Sequence, residues 1–139
     1  MYKDNIDEKI INYLKEDSRE SFVDIGKKLK LSESGVRRRV KNLVSSGAIK
    51  KFTLELGEEN TTSAIVLVSV DSATDTAKVS LKLAKLEGVK TVYEITGQYD
   101  ITTIISAPNI TEINNTIDAL RKIAGVVDTN TVIILRKII

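Results

Sequence analysis

Apolar residues recur at helical spacing along the first third of the chain. Ile6, Ile10 and Leu14 fall four apart with Ile11 and Tyr13 beside them, giving a first helix one apolar stripe behind Asp4-Asn5. The pattern predicts that this helix ends near Asp17. Ser21 opens a second helix with Asp24 three positions on, a capping box in which Asp replaces the usual Glu or Gln. Its stripe is Phe22, Ile25, Gly26 and Leu29. Lys30-Leu31-Ser32 is a short turn, and Ser32 suits the N-cap of a third helix that buries Val36, Val40, Leu43 and Val44. Gly47 fits the position just past that helix. From Ile49 to Leu56 the pattern changes to alternation, which predicts a strand. Three short helices, the last two joined by a tight turn, followed by a strand, make a winged helix-turn-helix.

Beyond Leu56 the pattern changes. Residues 63–70 are β-branched and apolar, a buried strand, and 71–75 are turn-like. Ala77, Leu81 and Ala84, with Leu83 and Leu86, form a helix stripe that Gly88 ends. Val89 to Thr96 is a strand, Gly97-Gln98-Tyr99-Asp100 a hairpin turn, and Ile101 to Ser106 the partner strand. Pro108-Asn109 starts a helix with Ile113, Ile117, Leu120 and Ile123 on one face; Gly125 stops it, and Val126 to Ile138 is the last strand. The order βαββαβ predicts a ferredoxin-like sandwich. An internal echo supports it: Leu86-Glu87-Gly88-Val89 and Ile123-Ala124-Gly125-Val126 each end a helix on Gly and start a strand on Val. The fold class is therefore α+β. The expected organisation is a helical domain over 1–56, a linker over 57–62 and a ferredoxin-like domain over 63–139.

Charge follows the same division. Residues 1–56 hold thirteen bases and nine acids, and residues 57–139 eight bases and ten acids. Nine bases and one acid, Glu33, fall between Lys27 and Lys51, a net charge of +8 on a chain that carries +2. A concentrated positive face on a small helical unit is an electrostatic footprint for a phosphate backbone. In a helix-turn-helix the third helix enters the major groove with its N-terminal residues at base edges. Here those are Ser32, Glu33, Ser34, Arg37 and Arg38. An Arg fork can bond guanine O6 and N7 together. Lys27, Lys28, Lys30, Lys41 and Lys50 are expected at phosphates, which position without specifying. Arg39 has two open orientations, toward DNA or into the domain. Gly35 either permits close approach to DNA or is simply tolerated.

The composition also excludes chemistry. Cysteine and histidine are both absent, which removes thiol and Ser-His-Asp catalysis, disulfides and Cys/His zinc sites within this chain. No catalytic residue, metal or cofactor is expected. No uncharged apolar run reaches ~18 residues and no apolar leader follows Met1, so no membrane partner is expected and the location is expected to be cytoplasmic.

Several of these stretches match a known pattern. They are Ile6-Asp7-Glu8-Lys9-Ile10-Ile11, Asp17-Ser18-Arg19, the run from Leu31 through Ser32-Glu33-Ser34-Gly35 to Leu43, and Gly47-Ala48-Ile49-Lys50. Together they resemble the N-terminal domain of the Lrp/AsnC, or feast/famine, transcriptional regulators, and the second half matches too. Two positions depart from the pattern: Asn42 stands where the family often has Arg, and Gly35 where a small β-branched or hydroxyl residue is usual. The resemblance implies a second domain that dimerises and binds a small effector, typically an amino acid. The family's glycine-x-aromatic-aspartate turn appears as Gly97, Tyr99 and Asp100, and its threonine-rich last strand as Thr129 and Thr131. An amino acid needs a carboxylate near its ammonium, donors near its carboxylate, and a wall. Asp100 suits the first, the Gly97 amide or the threonine hydroxyls the second, and Tyr99 the third, with Gln98 alongside. The same Gly-x-Tyr-Asp is also an ordinary hairpin turn.

The expected protein is a sequence-specific DNA-binding transcriptional regulator responsive to an amino acid, with glutamine, lysine and arginine among the candidates. Its expected partners are double-stranded DNA at a pseudo-palindromic operator, the effector, and copies of itself as a homodimer assembling to a tetramer or octamer. One rival is a non-specific architectural or nucleoid DNA-binding protein. Another is a tetrapyrrole decarboxylase, since some haem-pathway decarboxylases resemble this two-domain architecture; their chemistry is associated with histidine.

Overall fold

The computed structural model describes residues 4–56 and 60–138. The chain divides into two compact units, Met1–Leu56 and Gly57–Ile139. Of the linker candidate, residues 57–59 lie outside the described residues.

In the first unit each helix begins on the cap its sequence provides. The Asp4 carboxylate accepts the N–H groups of Ile6 (3.0 Å) and Asp7 (2.9 Å) at the start of α1, Asn5–Glu16. This satisfies donors that a helix start leaves unpaired. Helix α2, Phe22–Leu29, starts with Ser21 Oγ accepting the Asp24 N–H at 3.1 Å, while the Ser21 hydroxyl donates to the Asp24 carboxylate at 2.7 Å. The short Asp side chain thus closes its box on the hydroxyl. Helix α3, Glu33–Ser45, starts with Ser32 Oγ accepting the Gly35 N–H at 3.1 Å.

Ile10, Leu14, Ile25, Val36 and Val40 are buried together, with Phe22, Leu29, Leu31 and Ile49 packed around them. Burying such a side chain contributes about 1.5–3 kcal/mol each, enough to fix three short helices that would be marginal alone. Between α2 and α3 the chain turns on Lys30, in the left-handed region at φ 56°, and the Leu31 N–H donates to the Gly26 carbonyl at 2.8 Å. A Cβ on Gly26 would stand 2.6 Å from the Leu31 carbonyl oxygen. Only glycine lets the two helices turn this tightly.

Arg39 faces into the domain. It donates to Asp4 Oδ2 at 2.9 Å and to Asp7 Oδ1 at 2.8 Å, tying α3 to the start of α1. The strand expected from Ile49 to Leu56 does not form among the described residues. Phe52, Leu54 and Leu56 alternate but remain exposed. A strand requires a ladder partner, and no described segment pairs with this one.

The second unit comprises β1 Thr62–Val70, α4 Thr76–Leu83, β2 Val89–Glu94, β3 Ile101–Ala107, α5 Ile110–Arg121 and β4 Val126–Ile134. The sheet order is β2-β3-β1-β4 with every neighbouring pair antiparallel, the ferredoxin-like arrangement. Asp75 and Asn109 cap the two helices. One sheet face is covered: Ala64, Val66, Val68, Ile101 and Ile105 pack with Val79 and Leu83 of α4 and Ile113, Ile117 and Leu120 of α5. The alternate residues Ile65, Leu67, Ile104 and Ile134 lie on the other face and are half-buried. The last strand ends at Ile134 rather than Ile138, where its pairing with β1 stops at Ser63.

Candidate nucleic-acid interface and effector turn

Val36, Val40 and Leu43 turn the inner stripe of α3 into the core. The opposite stripe is Ser34, Arg37, Arg38 and Lys41, all exposed, at helical positions i, i+3, i+4 and i+7. The sequence expectation placed these four residues at DNA, and the helix brings them onto one face. Ser32 is the N-cap, and its hydroxyl lies 3.1 Å from that of Ser34. Arg37 Nε donates to Glu33 Oε1 at 2.9 Å, its Nη2 donates to the same oxygen, and its guanidinium carbon lies 5.3 Å from the centroid of the Phe22 ring.

The lysines are less uniform. Lys27, Lys30 and Lys50 are exposed, and Lys27 stands 3.8 Å from Asp24. Lys28 is engaged within the domain: it pairs with Glu20 and lies 4.6 Å above the Tyr13 ring. The hydrogen bond to Glu20 raises its pKa. Of the predicted phosphate contacts, Lys28 therefore has both a carboxylate and an aromatic ring as partners, while Lys27 has a longer pairing with Asp24.

In the second unit the Gly97–Asp100 turn is fastened to the end of β1. The Asp100 N–H donates to the Val68 carbonyl at 2.9 Å, and Asp100 Oδ2 accepts the Val70 N–H at 2.7 Å. The Asp100 carbonyl accepts the Ile95 N–H at 2.8 Å, closing the hairpin. Gly97 and Gln98 are exposed, and Tyr99 is half-buried. The Tyr99 hydroxyl accepts from Asn130 Nδ2 at 3.4 Å.

Thr129 and Thr131 do share a face, and the register shows which one. They lie opposite Val68 and Val66 of β1, on the helix-covered side of the sheet. Thr129 Oγ1 accepts from Arg121 Nε of α5 at 3.0 Å, and the buried Thr131 hydroxyl has no hydrogen-bond partner. Asn130, between them, pairs with Leu67 and lies on the open face with Tyr99. The structure thus brings Asp100 against Val68 and Val70, and Tyr99 against Asn130. It places the two threonine hydroxyls on the opposite face of β4.

Asn130 and Arg121 were missed from sequence. Alternation would have flagged Asn130 as facing away from its threonine neighbours. Nothing local pointed to Arg121, whose partner is on another element. Among the described residues no helix is long and apolar enough to cross a membrane, and no group of three or more acids is placed to hold a metal ion.

Comparison with known proteins agrees with this two-part layout. Residues 4–44 match the model of the AsnC-type helix-turn-helix domain, and residues 63–139 match that of the Lrp/AsnC ligand binding domain. The chain is 48% identical over 135 residues to the HTH-type transcriptional regulator LysM of Saccharolobus solfataricus, covering 95% of each chain. It superposes on the solved structure of B. subtilis LrpC with a TM-score of 0.82 at 31% identity, covering 99% of this chain and 98% of that one. A feast or famine regulatory protein from M. tuberculosis, solved in complex with L-methionine, shares the fold with a TM-score of 0.89 at 22% identity, covering 98% and 94%.

Proposed function

Because the chain belongs to the Lrp/AsnC family of transcriptional regulators, we propose that it is a sequence-specific DNA-binding regulator whose assembly or DNA affinity responds to an amino acid. The observation that carries the DNA reading is the outward stripe Ser34, Arg37, Arg38 and Lys41 on a helix locked by the Gly26 turn. Ser32 and Glu33 flank that stripe, and Lys27, Lys30 and Lys50 supply sequence-independent attraction to phosphates. Lys28 acts chiefly by holding α2 to α1.

A homodimer fits the open face of the sheet. Ile65, Leu67, Ile104 and Ile134 are only half-buried there, and Tyr93 and Val132 are 55% and 50% exposed. An apolar face of this kind marks an interaction surface. Two-fold symmetry then sets paired recognition helices about 34–36 Å apart on a pseudo-palindromic operator. Dimers assemble further to tetramers or octamers, and the protein acts in the cytoplasm.

The effector site we propose is the turn of Gly97, Gln98, Tyr99 and Asp100; the hydroxyls of Thr129 and Thr131 face the other side of β4 and join the site only if the effector reaches that face. One Asp100 oxygen is bonded to the Val70 N–H, which aims the carboxylate and leaves its other oxygen for an ammonium. The M. tuberculosis relative in complex with L-methionine supports an amino acid as the class of ligand. Glutamine, lysine and arginine are the candidates by side chain. An effector shifts assembly or DNA affinity only by binding one state more tightly than another.

The test is a thermal-shift screen against the standard amino acids, followed by promoter binding with and without any hit. Ligand at a hundred times its Kd stabilises by about 2.7 kcal/mol. A hit lost in Asp100→Ala and changing promoter affinity supports the reading. Silence across the whole set at millimolar concentration would overturn the effector assignment and leave the second unit to assembly.

A further inference from the structure

Within the outward stripe, Arg37 has partners from both α3 and α2. Its Nε and Nη2 donate to a single oxygen of Glu33, and its guanidinium carbon lies over the Phe22 ring, 5.3 Å from the centroid. Phe22 is part-buried and packed against the helical core, so the core supports the ring from behind. One edge of the guanidinium is therefore held by a carboxylate, and the group lies against an aromatic ring. What stays free is the end-on edge, an N–H from Nη1 and one from Nη2. That parallel pair of donors matches guanine O6 and N7.

We infer that Glu33 and Phe22 are specificity-determining positioning residues, which hold Arg37 as a base reader and keep it from acting as a phosphate contact. This rests on the proposal that α3 enters the major groove. An unrestrained Arg on that stripe would meet phosphates first, since they carry the dominant charge and most of the contacts. Glu33 is the single acid among the nine bases of residues 27–51. On a DNA-facing helix it repels phosphates and weakens non-specific binding. Its gain lies in orientation: the side-on edge of Arg37 is occupied, and only the base-reading edge is presented. Phe22 adds a cation–π contact that is indifferent to salt bridging and sets the plane of the fork.

The test is selection of operators from a random duplex pool by the full-length protein. Binding of the best site, its single base-pair variants and a non-specific duplex is then measured over a salt series. The wild type is expected to enrich a pseudo-palindrome with a guanine in each half-site. Glu33→Ala should lose about tenfold or more of the discrimination at that guanine. Its non-specific affinity should rise, with a salt slope steeper by about one as Arg37 takes up a phosphate. Phe22→Leu keeps an apolar side chain in the core and should lose discrimination at the same base pair without that rise. With Arg37→Ala as background, Glu33→Ala should have no further effect on discrimination.

Equal strengthening of specific and non-specific binding by Glu33→Ala would mean simple charge removal and would overturn the inference. So would a loss of discrimination that persists without Arg37, since Glu33 would then be reading a base itself. A wild type that enriches no sequence fails earlier and overturns the DNA reading on which the inference rests.

Discussion

The guanidinium of Arg39 donates to the buried carboxylate of Asp7 at 2.8 Å, across 32 positions of sequence. Asp7 is 5% exposed and cannot be left without a partner at low cost. Arg39→Ala should therefore destabilise the helical unit by about 2–4 kcal/mol, less than the fully buried limit because the Arg side chain is partly exposed. Denaturant unfolding followed by helical circular dichroism measures this. A loss below about 0.5 kcal/mol would place the pair among ordinary surface ion pairs.

The same cluster predicts an acid response. The Asp7 N–H bonded to the Asp4 carboxylate, helped by Arg39, holds the Asp4 pKa below its ordinary 3.8. A carboxyl group depressed by folding contributes stability that is fully present above its unfolded value and lost as the pH falls through the folded value. Fraying of α1 should thus begin below pH 3.8. Asn is an equally good cap without a charge, so Asp4→Asn should flatten the acid slope while keeping the helix start. Backbone hydrogen exchange at Ile6 and Asp7 between pH 5 and pH 2 reads both effects. An unchanged slope in Asp4→Asn would assign the acid response elsewhere.

Thr103 and Thr131 flank Val66 on the covered face of the sheet, and both hydroxyls are buried without a hydrogen-bond partner. An unsatisfied buried hydroxyl costs about 1–3 kcal/mol, and Val replaces Thr with the same branching. Thr103→Val should raise the unfolding free energy by about 1–2 kcal/mol and leave any ligand response intact. Thr131→Val should also stabilise, but if its hydroxyl serves an effector the ligand-induced shift will shrink. A full ligand response in Thr131→Val removes that residue from the site.

Much of this was legible in the chain because local chemistry decided it. Asp4, Ser21, Ser32 and Asn109 start helices for reasons visible within a few residues: each has a side-chain oxygen and donors two or three positions on. Partners decided what was not legible. The alternation of Phe52, Leu54 and Leu56 is a strand pattern, yet no described segment offers it a ladder. Spacing put Thr129 and Thr131 on one face, but only their register with Val68 and Val66 identifies the covered one. Glu33 and Arg37 are visibly one helical turn apart; the Phe22 ring beneath them comes from another helix.

Gly26 links stability to DNA affinity most directly. A Cβ there would lie 2.6 Å from the Leu31 carbonyl oxygen, and backbone cannot swing aside as a flexible side chain can. Gly26→Ala must therefore open the turn between α2 and α3, at about 1–3 kcal/mol for overpacking. Opening the turn tilts α3 against α2, so specific DNA affinity should fall further than the population of folded protein explains. Gly47→Ala is the matched control. It has φ 77° with no atom within 4 Å of a Cβ, so its cost of about 1–2 kcal/mol is conformational and lies at the far end of α3. Both variants should melt earlier, but well below their midpoints only Gly26→Ala should bind the operator weakly. Wild-type affinity in Gly26→Ala under those conditions would show that the turn does not set the pose of α3.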